Sequence, residues 1–105
     1  MHAEFFLKRQ GLTTITRRYQ RKTGEIDLIM NDNCHLVFIE VRYRKRQDYG
    51  SGVESINHTK ISKIERTLQC FCSENNIIQK NLRIDVISMS GNIIKPNIEW
   101  IKNIN

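Results

Sequence analysis

The chain has 105 residues, enough for one hydrophobic core but not for two. Lys and Arg number 17 against 11 Asp and Glu, a formal charge of +6, and the 39% hydrophobic share is that of a folded domain rather than a disordered one. No apolar run approaches the ~20 residues of a membrane-spanning helix. The start, Met1-His2-Ala3-Glu4, has an acid and no cleavage-site pattern, and three cysteines make no disulfide framework. These features point to a cytoplasmic domain with reduced thiols.

Residues 3–10 read as a short helix with Ala3, Phe6, Leu7 and Gln10 on one face and Gly11 placed to end it. The β-branched run Thr13–Tyr19 predicts a strand, and Lys22-Thr23-Gly24 turns the chain into a second over Glu25–Met30. Asn31-Asp32-Asn33 is a turn signal, so these residues predict a hairpin with a third strand, Leu36–Tyr43. That strand opens apolar on both faces, as a central strand does. The polar stretch Arg44–Ser55, with Tyr49, Gly50 and Gly52, predicts a loop. Asn57 is the expected N-cap of a helix reaching about Asn75, with Ile61, Ile64, Leu68, Phe71 and Cys72 at helical spacing and Lys60, Lys63 and Arg66 on the other face. Leu82–Met89 alternates like a strand, and a turn at Ser90-Gly91-Asn92 leads to a last one near Ile98–Ile101. The predicted order is α-β-β-β-α-β-β, a mixed central sheet flanked by helices in one α/β domain.

Charge is clustered. Arg17, Arg18, Arg21 and Lys22 fall within six residues and Arg42, Arg44, Lys45 and Arg46 within five, which suggests a polyanionic partner, nucleic acid first. Solubilising strand ends and a loop would give the same pattern. Between the clusters lies an acidic pair. Alternation puts Glu25 and Asp27 on one face of the second strand, with Ile26 and Leu28 opposite. It puts Glu40 and Arg42 on one face of the third, with Ile39, Val41 and Tyr43 opposite. Pairing of the two strands brings Asp27 within reach of Glu40. Ionised carboxylates inside apolar strands need a partner, and two arrangements supply one. In the first, Arg42 forms a buried ion pair with Glu40 or Asp27. In the second, the two oxygen donors hold Mg²⁺ or Mn²⁺, suited to attack on a phosphodiester.

Gly24-Glu25-Ile26-Asp27-Leu28-Ile29-Met30 followed by Leu36-Val37-Phe38-Ile39-Glu40-Val41-Arg42-Tyr43-Arg44 resembles the YraN family of small bacterial endonuclease-like proteins. The resemblance covers nearly the whole chain: Ala3–Leu7 with Gly11, Tyr49-Gly50, Thr59-Lys60, Arg83–Val86 and Glu99–Lys102 also match. It implies the restriction-endonuclease-like PD-(D/E)xK fold, related to archaeal Holliday-junction resolvases. It further implies metal ligation by Asp27 and Glu40, with Arg42 where the motif usually has Lys, Glu25 assisting, and Lys60 reaching the site from the helix. Arg42 stays protonated, so it can orient a phosphate but not act as a base. Resolvase-like nucleases complete the metal site with a Glu on the first helix. Glu4 lies about a turn away from that place and is not expected to substitute.

The expected function is binding of structured or branched DNA through Arg17, Arg18, Arg44, Lys45 and Arg46, with Mg²⁺- or Mn²⁺-dependent phosphodiester hydrolysis. Alternatives are a catalytically silent nucleic-acid-binding protein of the same fold, and a module whose basic face meets an acidic protein. The fold's relatives often pair, which suggests a homodimer. Cys70 and Cys72 diverge on their helix and make a poor zinc pair. Asp85 is expected to partner Arg83 or Lys102 rather than the acidic centre. Trp100 and Tyr43 are able to stack on bases, although core packing is the commoner role for such rings.

Overall fold

The computed structural model describes residues 2–44, 57–78 and 81–105. Its elements run α1 (His2–Arg9), β1 (Thr13–Arg21), β2 (Gly24–Asp32), β3 (His35–Arg44), α2 (His58–Glu74), β4 (Leu82–Ser90) and β5 (Asn97–Ile101), the order expected from sequence. The five strands form one sheet in sequential order, β1 to β5. All neighbours are antiparallel except β3 and β4, which run parallel with Glu40 beside Val86 and Arg42 beside Ser88. A parallel pair needs a crossover, and α2 supplies it across one face. β3 thus lies at the centre, buried from Leu36 to Glu40.

Local chemistry explains the boundaries. Gly11 adopts φ +101°, and its N–H bonds the Lys8 carbonyl while the Leu12 N–H bonds that of Leu7; this left-handed cap stops α1. Asn57 accepts from the Lys60 amide at 2.9 Å and starts α2. The β2–β3 turn is tighter than predicted, two residues at Asn33-Cys34 with Asn33 at φ +56°, so Asp32 ends β2. β1 continues to Arg21 because Gln20 and Arg21 still pair with Glu25 and Gly24. Arg44 belongs to β3, not to the predicted loop, whose remaining residues lie outside those described. In α2 it is Thr67 that is fully buried, while Ile61 is only half-buried. The Thr67 hydroxyl bonds the Lys63 carbonyl and the Thr23 hydroxyl, both at 2.8 Å, which makes a polar side chain tolerable there.

Apolar layers cover both faces. Tyr19, Ile26, Ile29, Phe38 and Ile84 pack under Ile64, Leu68 and Phe71 of α2; Leu28, Met30, Val37, Ile39 and Ile87 pack against Ala3 and Leu7 of α1. The expected strict alternation in β2 fails here. Ile26 and Leu28 are two apart yet lie in opposite layers, and the change of face falls at Asp27. β1 changes face at the matching position. Arg17 reaches Glu4 on the α1 side and Tyr19 packs on Phe71 of α2, with Arg18 between them at φ +50°. The end of the β1–β2 hairpin therefore curls toward α2, where Gly24 comes against Thr67 and Lys63. Regular β2–β3 pairing stops at Leu28 and Ile39.

Candidate functional site

Where the hairpin peels away, the Val41 N–H loses its neighbour in the ladder. The Asp27 carboxylate takes it instead, with Oδ2 accepting at 2.8 Å. The break in alternation is thus what aims Asp27 along the edge of β3. Glu40, one residue before Val41, is buried on the α2 side of the sheet. The capped first turn of α2 carries Lys60 over it, Nζ 3.0 Å from Glu40 Oε2. Asp27, Glu40, Val41, Arg42, Tyr43, Asn57 and Lys60 together line an open pocket of about 530 Å³. The Tyr43 hydroxyl donates to the Gly91 carbonyl, which ties the end of β3 to the turn after β4.

Burial pushes the Glu40 carboxyl above its usual range, and the neighbouring Asp27 charge adds to that; the Lys60 ammonium acts the other way. Two close carboxylates with one buried need a cation to stay ionised. Lys60 meets that need for Glu40 in the described structure. Oxygen donors from adjacent strands, open to solvent on one side, suit a hard ion that keeps several waters, so Asp27 and Glu40 fit Mg²⁺ or Mn²⁺. Among the described residues no group of three or more His, Cys, Asp or Glu side chains is placed to hold a metal. Water and substrate oxygens would therefore have to complete the shell.

Four of the five sequence-derived catalytic candidates come together here: Asp27, Glu40, Arg42 and Lys60. Glu25 does not. It is exposed, paired with Gln20 of β1 beyond the change of face, and it does not line the pocket. Among the described residues the cation on Glu40 is Lys60 and not Arg42, so the ion pair drawn from β3 alone is corrected by a residue of α2. Arg17 is held away from the pocket by a bidentate contact with Glu4, at 2.9 and 2.7 Å on the α1 side. Arg18 is exposed opposite the Asp27 position, Arg44 is half-buried at the end of β3, and Lys45 and Arg46 lie outside the described residues.

Glu4 takes no part in the pocket, as expected. It is buried on the α1 side, accepts from Thr14 at 2.6 Å as well as from Arg17, and is held down at about 2 chiefly by Arg17. Asp85 is fully buried and receives Arg83, the Trp100 indole N–H and the Asn103 amide; Arg83 extends this network to Asp32. Cys70 and Cys72 pack within the α2 layer. Sequence reasoning missed Asn57 as a pocket wall and the Val41 amide as the group that orients Asp27. The side-chain signal for the first was present, since a cap at the start of α2 must lie beside Lys60.

A sequence model of the uncharacterised protein family UPF0102 matches residues 1–89, a span that includes every pocket residue. The chain is similar to a UPF0102 protein of Colwellia psychrerythraea, 36% identical over 104 residues, 97% of this chain and 81% of the relative. It is likewise similar to one of Neisseria gonorrhoeae, 37% identical over 99 residues, 94% and 84% of the two chains. A third similar protein, from Vibrio cholerae, is 37% identical over 100 residues, 93% and 80% of the two chains.

Proposed function

The chain belongs to the uncharacterised protein family UPF0102, the family of the YraN resemblance, and from that premise we propose that it is an endonuclease-like, nucleic-acid-binding protein of the PD-(D/E)xK type. The substrate class we propose is structured or branched DNA, cut by phosphodiester hydrolysis. One observation carries the reading: Asp27, aimed by the Val41 amide, and buried Glu40 form an oxygen-donor pair in an open pocket with Arg42 and Lys60 on its walls.

Mg²⁺ or Mn²⁺ between Asp27 and Glu40 would supply Lewis-acid polarisation of a phosphoryl oxygen. The chain's own residues do the rest. Arg42 offers a planar, permanently charged fork that orients a phosphate and stabilises charge as it develops. Its proton does not leave, so Arg42 acts by charge and geometry and not as a base. The Lys60 ammonium, on a flexible stem over Glu40, adds a second positive charge on the pocket wall for a phosphate oxygen. Val41 and Asn57 act by positioning: the amide of one fixes the Asp27 carboxylate, and the side chain of the other fixes the turn that carries Lys60.

The test is cleavage of a labelled four-way junction, a flap and a plain duplex in Mn²⁺ and Mg²⁺, with wild type, Asp27→Asn and Glu40→Gln. Cleavage of a branched substrate that both variants lose supports the reading; cleavage that survives in both would falsify it. Arg42 in place of a lysine favours a second reading, a catalytically silent DNA-binding protein. Junction binding that persists in EDTA, without cleavage under any condition, selects it.

A further inference from the structure

On the opposite side of the sheet from the acidic pocket, α1 and the segment entering β5 enclose a groove of about 400 Å³. Phe5, Phe6, Ile94, Pro96 and Ile98 supply its apolar lining, and His2, Arg9 and Lys95 its polar edge. Phe6 is anchored edge-on against Trp100, so one wall is fixed to the core. The rest is open. Phe5 and Ile94, which line it, are 63% and 83% exposed, so large apolar side chains are left to solvent there among the described residues. Among the described residues no carboxylate lines the groove, while Arg9 (its guanidinium 5.9 Å from the Phe5 ring centre) and Lys95 flank it.

We propose that this groove binds a short segment of another protein in which large apolar side chains are flanked by Asp or Glu. The apolar side chains would cover Phe5 and Ile94, and the acids would meet Arg9 and Lys95, the arrangement by which short peptides dock grooves. A second copy of this chain meeting the groove symmetrically would set Arg9 and Lys95 against their own kind. A nucleic acid would satisfy the cations but leave the isoleucines uncovered. A bilayer would rest on the rim of a concave groove without filling it. The groove is independent of the nuclease reading, since Asp27 and Glu40 lie across the sheet.

The experiment is selection of peptides from a random display library on the intact protein. The most enriched peptide is then made and titrated by fluorescence anisotropy against wild type, Ile94→Glu, Lys95→Glu and, as a control, Asp27→Asn. The expected result is enrichment of Asp and Glu beside Phe, Leu, Ile or Trp. Affinity should fall at least tenfold in each groove variant, weaken with added salt and stay unchanged in Asp27→Asn. Ile94 and Lys95 are exposed, so these substitutions leave the core intact. Failure to enrich such peptides, or binding indifferent to both groove variants, overturns the proposal. So does a peptide-free dimer in sedimentation, or pelleting with anionic phosphatidylserine vesicles, if Ile94→Glu abolishes it.

Discussion

An ammonium 3.0 Å from Glu40 satisfies the same electrostatic need as a divalent cation, so Lys60 would compete with the proposed metal for one carboxylate. Lys60 is also half in solvent, which limits how strongly it holds its place. In Lys60→Met, Mn²⁺ should therefore bind about five- to tenfold more tightly by calorimetry, the equivalent of roughly 1 kcal/mol of displaced ion pair. The metal-free variant should unfold at lower temperature, because Glu40 is left buried beside Asp27 without its cation. Equal or weaker Mn²⁺ binding would show that Lys60 does not compete. Glu4 has the opposite electrostatic situation and a different pH signature. Its carboxyl is lowered from 4.5 to about 2, so the stability it contributes is present above pH 4.5 and is lost as pH falls toward 2. With Arg17 half-exposed, Glu4→Gln should cost about 1–2 kcal/mol at pH 7, and urea titrations should find the gap closing between pH 4.5 and pH 2.

The position of the pocket is fixed by the seat of α2, which depends on its cap and on the hairpin beneath it. Asn57→Ala removes the acceptor for the Lys60 amide and should cost about 1 kcal/mol in thermal or chemical unfolding. Gly24→Ala tests the hairpin side. With φ at +148° and Thr67 Oγ1 3.3 Å from where the alanine methyl would stand, the variant should lose about 1–2 kcal/mol, more than the same change in an open turn. These elements were legible in the sequence because their signals are local: a capping Asn, apolar residues at helical spacing, Gly11 after a short helix. What escaped was the change of face at Arg18 and Asp27. Two neighbouring strands break period two at matching positions only because the hairpin folds over onto α2, and no window of either strand carries that information. The same gap explains why Glu25 was grouped with Asp27. Lys60 was identified through the family resemblance, but its partner was not, since a contact between residues 40 and 60 depends on how the crossover lands.

Across the described residues the basic side chains behind the +6 charge do not form one binding face. Arg17 is committed to Glu4 on the α1 side, and Arg21 to Glu74 near the end of α2, which also receives the Tyr19 hydroxyl. Two of the four cations of the basic cluster over residues 17–22, Arg17 and Arg21, are therefore spent on fastening the two helices to the hairpin. Among the described residues Arg42 and Lys60 stand on the pocket walls, and Lys63 and Arg66 are exposed farther along α2. A DNA backbone approaching Asp27 and Glu40 would meet these and not Arg17. About three or four neutralised phosphates imply that log affinity falls with log salt at a slope near −3. Arg42→Ala should weaken junction binding, measured by anisotropy in EDTA, and make that slope shallower by about one. Arg17→Ala, though it removes the same charge, should leave both affinity and slope unchanged while lowering thermal stability through the loss of its contact with Glu4. Equal effects of the two substitutions on binding would mean that DNA senses only net charge. The acidic pocket would then not be where the nucleic acid lies.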